Sequence, residues 1–163
     1  MQLPAARDLG RPHLAPYLQT MRAFLACLLL ATPGHAWDFS NAPICTLTHI
    51  EAEAGLQITY DPSRAEPFEI ELVRREESWP EGGVFGIEFE GGRSSTIVTD
   101  RHRLSDGGTR LKVSDQGFGN LLDGLVFNTT ATARLADTSV AFSLAGAAAP
   151  VAAFRACTEA PFA

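Results

Sequence analysis

Apolar side chains recur at every second position along most of this chain. Cys45, Leu47 and His49 fall on one side of an extended run, with Ile44, Thr46, Thr48 and Ile50 on the other. Leu56, Ile58 and Tyr60 alternate with Gln57 and Thr59, and Phe68, Ile70 and Leu72 alternate with Glu69 and Glu71. A period of two marks a strand with one buried face, and a helix cannot keep such a pattern on one side. Val84, Phe85, Ile87 and Phe89 are expected to point inward, with Glu88 and Glu90 facing out. Ser95–Thr99, Arg103–Ser105, Arg110–Val113, Val126–Leu135 and Thr138–Leu144 bring the expected total to eight or nine short strands. Ala54-Gly55, Gly91-Gly92, Gly107-Gly108 and the region of Asp137 supply tight turns between them. Short strands in series with such turns predict a mainly β fold: a single-domain antiparallel β-sandwich or barrel.

Two stretches depart from the alternation. Gly117 to Leu125 is apolar and punctuated by glycine, and reads as an ordered loop with one helical turn that plugs an end of the core. From Gly146 to Cys157 the spacing becomes helical. Pro150 suits a first turn, and Val151, Phe154 and Cys157 share one face, so the chain ends in a short C-terminal helix.

The N-terminus has a different character. Arg22 precedes an apolar run from Ala23 to Ala31. Thr32-Pro33-Gly34-His35-Ala36 follows, and then an abrupt change to Trp37-Asp38-Phe39. A positive start, a short apolar core and small residues at Gly34 and Ala36 form a signal-peptide pattern, with cleavage after Ala36. Met21 is the expected start, which makes residues 1–20 an extension. Residues 1–36 are thus extension plus signal peptide, and residues 37–163 are one β-rich domain. The apolar run is too short to span a bilayer, which takes about 20 residues, and no other segment is long enough either. Cleavage removes Cys27 and leaves Cys45 and Cys157. An even cysteine count in an exported chain predicts a disulfide, here one that closes nearly the whole domain. The absence of CxxC speaks against thiol-exchange chemistry.

Charge and motif content exclude several classes. The net charge is −6, and the leader's own arginines make the remaining part more acidic still. A nucleic-acid binder needs surplus cations to face phosphate, so none is expected. The chain has no GxxxxGK[ST], GxSxG, HExxH or GxGxxG, so no cofactor is predicted. His49 and His102 survive cleavage but stand alone, His102 between Arg101 and Arg103, and they do not supply a zinc set, so no metal site is predicted. Glu69/Glu71 and Glu88/Glu90 are pairs a hydrolase could use, although strand alternation alone accounts for them. Asn128-Thr129-Thr130 matches a glycosylation sequon but falls within an expected strand. Arg74–Pro80 reads as a surface connection.

The hairpin around Gly107-Gly108 is less easily explained. A turn there sets Leu104 opposite Leu111 and Arg103 opposite Lys112, and like charges directly across a ladder are unfavourable. Arg101, Arg103, Arg110 and Lys112 therefore concentrate positive charge on an acidic protein. Two readings are open. Acidic residues of an adjacent strand, such as Glu88 or Glu90, neutralise the patch, or it meets an anionic ligand or partner.

Val140-Ala141-Phe142-Ser143-Leu144-Ala145-Gly146 running into Phe154-Arg155-Ala156-Cys157 resembles the C-terminal end of periplasmic proteins related to invasion-associated locus B. Trp37-Asp38-Phe39, Ile44-Cys45-Thr46-Leu47, Thr99-Asp100-Arg101-His102 and Gly117-Phe118-Gly119-Asn120 make the domain resemble a family of small exported proteins of Gram-negative bacteria. Similar chains are associated with the name of the helicase component of excinuclease ABC. The residues contradict that as a function, because a repair helicase needs a P-loop and a cytoplasmic address. The resemblance implies a β-rich periplasmic fold and no particular activity.

The sequence as a whole predicts a periplasmic or secreted, non-catalytic binding or accessory protein that meets an unknown envelope protein or a small ligand. The alternatives are a carrier of small apolar ligands and an enzyme without a recognisable motif.

Overall fold

A computed structural model describes residues 37–160. The expected extension and signal peptide, with its start at Met21 and cleavage after Ala36, lie outside the described residues. In chain order the strands are β1 (Trp37–Ser40), β2 (Cys45–Ile50), β3 (Ala54–Tyr60), β4 (Phe68–Arg74), β5 (Phe85–Glu90), β6 (Ser95–Thr99), β7 (Arg103–Ser105) and β8 (Arg110–Asp115). Helix α1 (Gly119–Phe127) follows, then β9 (Thr130–Leu135), β10 (Thr138–Ser143) and helix α2 (Ala148–Glu159). Two antiparallel sheets result, in the orders β1-β2-β3-β4-β8-β7 and β10-β9-β5-β6. The protein is mainly β with a short C-terminal helix, as the alternation predicts.

The inward residues of both sheets meet in one core. Cys45, Leu47, Leu56, Ile58, Ile70, Leu72, Leu111 and Val113 come from the six-stranded sheet, and Phe85, Ile87, Phe89, Ala131, Ala133, Val140 and Phe142 from the other. Trp37 Nε1 on β1 donates to the carbonyl of Ser143 on β10 at 3.0 Å, which ties one sheet to the other. Helix α2 lies against β1 and β2. Its Val151 and Phe154 are fully buried, with Pro150 in the first turn. That docking brings Cys157 to Cys45, and the two are disulfide-bonded with their Cα atoms 6.1 Å apart.

Several local expectations are corrected. The turn between β2 and β3 lies at 51–53, closed by Glu51 N–H donating to the Ala54 carbonyl at 2.8 Å, and not at Ala54-Gly55. Ala54 is completely buried on the face that carries Leu56 and Ile58, so the alternation simply begins two residues earlier. Val84 is exposed, because alternation admits only one of Val84 and Phe85 to the core and the larger ring takes the place. Val126 and Phe127 belong to α1, not to a strand. The plug is a nine-residue helix that buries Leu121, Leu122 and Leu125. Asn128 ends it: its side-chain amide donates to the Gly124 carbonyl at 3.0 Å, satisfying a carbonyl that the last turn leaves open. The sequon asparagine is therefore buried at a helix terminus and already engaged. The connection Arg74–Pro80 carries Trp79 into the core, where its ring meets Phe85 edge-on at 6.5 Å. Strand β1, which sequence pattern did not single out, pairs with β2 from Trp37↔His49 to Ser40↔Thr46.

Candidate binding site

The hairpin β7–β8 has the expected register, with Leu104 opposite Leu111 and Arg103 opposite Lys112. Gly107 and Gly108 take φ of 67° and 86°, the left-handed conformation that such a turn requires of both central residues. The cations of β8 then face the outer surface of the six-stranded sheet. Their partners come from β4, the neighbour of β8, and not from Glu88 or Glu90. Lys112 Nζ lies 2.6 Å from Glu71 and 3.3 Å from Glu69. Arg110 pairs with Glu71 and, at 2.6 Å, with Asp106. Arg101 pairs with Asp115 and, at 3.3 Å, with Glu66. Glu88 sits in the other sheet and takes Arg134 at 2.8 Å. The correction has a topological cause, since β4 and β8 are far apart in the chain and adjacent in the sheet. Arg103 alone of the four has no ion pair among the described residues.

A polar hollow of about 600 Å³ lies over this face, with Arg64, Glu69, Arg103 and Lys112 in its walls. Its carboxylates are already committed. Burial pushes the Glu69 carboxyl up, but hydrogen bonds from Arg64 and Lys112 outweigh it and hold the group below its ordinary range. Lys112, which donates to Glu71 and to Glu69 against partial burial, is held above its ordinary range. A carboxyl held ionised in this way is poorly suited to deliver a proton. The lowered Glu69 contributes stability above its unfolded value of about 4.3, and that stability is lost as pH falls through the lower folded value. The raised Lys112 contributes below its unfolded value of about 10.4, and loses it as pH rises through the higher folded value. Urea midpoints should therefore drop on acidification below about pH 4, with a shallower drop in Glu69→Gln. An equally steep drop in the variant would contradict this assignment.

The histidines take separate structural places. His49 is buried, stacked on Trp37 at 4.5 Å with the rings 4° from parallel, and its Nε2 lies 3.0 Å from Glu51. His102 lies by the polar hollow, its ring 6.4 Å from that of Phe85. Among the described residues no three His, Cys, Asp or Glu side chains gather to hold a metal ion.

A second hollow is lined by hydrophobic and polar side chains together. It opens between the two sheets where β8 and β6 lie toward their edges, and encloses about 570 Å³. Ile70 and Val113 form one wall, Phe85, Ile87 and Ile97 the other, and Phe118 and Leu121 close the end. Its rim carries Asp100, Arg101, Asp115 and Asn120. A further hollow of about 300 Å³ continues along β6 beneath α1, and shares Ile97 and Asn120 with the hollow between the sheets. The sequence marked these residues as strand and plug, but carried no sign that β4, β5, β6 and β8 surround a space. Of the expected patch only Arg101 reaches this cleft.

Fold and site together describe a two-sheet β protein with a disulfide-tied C-terminal helix and a cleft of mixed lining between its sheets. No family model, no curated protein and no solved structure matches the chain. No helix among the described residues is long and apolar enough to cross a membrane.

Proposed function

We propose that this chain is an exported, periplasmic, non-catalytic binding protein that works through the cleft between its sheets. The cleft carries the reading. Its volume lies within the range of about 300–1,000 Å³ typical of ligand sites, hydrophobic side chains from both sheets line it, and polar and charged groups stand among them. Export is supported by the leader-like N-terminus and by a disulfide of the kind that persists in oxidising compartments. The resemblance of its C-terminal end to exported proteins related to invasion-associated locus B agrees with that address. The patch Arg101, Arg103, Arg110 and Lys112 is a weaker candidate for an anion, because carboxylates already neutralise all but Arg103.

The test uses the protein from Trp37 onward and the uncharged apolar fluorophore N-phenylnaphthylamine. Saturable binding is expected. Ile97→Trp, which fills the cleft from a half-buried wall position, should weaken it by about tenfold while far-ultraviolet circular dichroism is unchanged. Ile87→Trp serves as a second filling variant. Undiminished binding in both folded variants would place the fluorophore elsewhere and remove the cleft's claim to function.

A further inference from the structure

Resting on that reading, we propose that the cleft and its continuation form one groove that takes an extended peptide, added to β6 as a fifth strand of the four-stranded sheet. Among the described residues strand β6 ends its sheet and pairs only with β5. Half of its backbone N–H and C=O groups therefore point away from the sheet. Its residues, Ser95-Thr96-Ile97-Val98-Thr99, include no charge, proline or glycine, so the strand itself carries none of the residues that usually block strand addition.

The groove runs the full length of that edge. Every residue from 93 to 101 lines one or the other of the two hollows. Side chains alternate along a strand, so a space lined by Ile97, Val98 and Thr99 in succession reaches around the strand's edge and not one face alone. Helix α1 supplies the far wall through Asn120, Gly124 and Phe127. A strand laid here would send alternate side chains toward Ile70, Phe85 and Val113, so apolar residues are required at every second position. Main-chain bonds supply the affinity of such additions and side-chain pockets the selectivity.

Charge sets what each end of the peptide must carry. Arg93 stands at one end, its guanidinium 4.1 Å above the Phe127 ring, and exposed Asp100 stands at the other. Neither has an ion pair among the described residues. An antiparallel peptide therefore needs a basic side chain near its N-terminal end, beside Asp100, and an acidic one near its C-terminal end, beside Arg93. A second copy of this chain fits poorly. Two β6 strands paired about Ile97 would set Arg93 of each against Arg101 of the other.

The probe is the peptide acetyl-Lys-Val-Thr-Val-Thr-Val-Glu-amide, titrated into the protein from Trp37 onward. Saturable binding is expected, with hydrogen exchange slowed at alternate amides of β6. Two further peptides are N-methylated, one at the central Val and one at an adjacent Thr. One of them should bind about tenfold more weakly and the other like the parent, because every second amide of an added strand bonds to the edge. Asp100→Lys should weaken the parent peptide about fivefold. Equal affinities for both methylated peptides, or an indifferent Asp100→Lys, would overturn strand addition. Binding of N-phenylnaphthylamine without binding of any peptide would overturn the peptide and leave the cleft intact. Failure of both probes would end both readings. A dimer formed through β6 that the peptide does not dissociate would also overturn the proposal.

Discussion

Replacing Cys45 and Cys157 together with serine should lower the stability of the domain by about 4–5 kcal/mol, read as urea unfolding free energy. The bond spans a sequence separation of 112 residues, so in the unfolded chain it forbids most of the conformations that would hold the two ends apart. The loss is large against the net stability of about 5–15 kcal/mol of ordinary domains. Local structure explains why little else compensates. Helix α2 has twelve residues, a length at which isolated helices are marginal in water. Val151 and Phe154 hold it to the sheet, and Cys157 is the covalent part of that contact. Reducing agent should reproduce the effect in the natural chain and leave the double variant unchanged. A loss below about 1 kcal/mol would mean that packing alone fixes the ends.

Phe89→Ala should cost about 3–5 kcal/mol, because the ring is almost entirely buried at the junction of β5 and α1. The same ring explains a glycine inside a helix. A Cβ on Gly124 would fall 2.5–2.7 Å from three Phe89 ring atoms, closer than carbon atoms pack. Gly124→Ala should therefore destabilise by about 1–3 kcal/mol, despite the better helix propensity of alanine. Phe89→Leu combined with Gly124→Ala should cost less than the sum of the two single changes, by about 1 kcal/mol, since the smaller side chain leaves room for the new methyl. Strict additivity in equilibrium unfolding would show that α1 does not rest on β5 in this way.

Glycine at 124 also shows where sequence reading stops. Gly117, Gly119 and Gly124 lower helix propensity, and for that reason the segment reads as a loop. Its helicity is decided by tertiary contact, as Leu121, Leu122 and Leu125 bury themselves and Gly124 admits the Phe89 ring. The strands were legible because alternation is a local property. The Leu104↔Leu111 register was legible because a two-residue turn fixes it, and the disulfide because the expected leader cleavage would leave two cysteines. The acidic partners of Lys112 and Arg110 were not, since β4 meets β8 only through the order of the sheet. The cleft was hidden for the same reason. Its walls come from strands that are distant in the chain, and no motif announces an empty space between them.

The most direct test of where this molecule binds is a map of backbone amide shifts as the Val-Thr peptide is added to the protein from Trp37 onward. Shifts concentrated at residues 93–101 and along α1, with the outer face around Arg103, Lys112 and Ser114 undisturbed, are the expected result. Shifts confined to that salt-bridged outer face, or the absence of any saturable change, would contradict a groove-centred function.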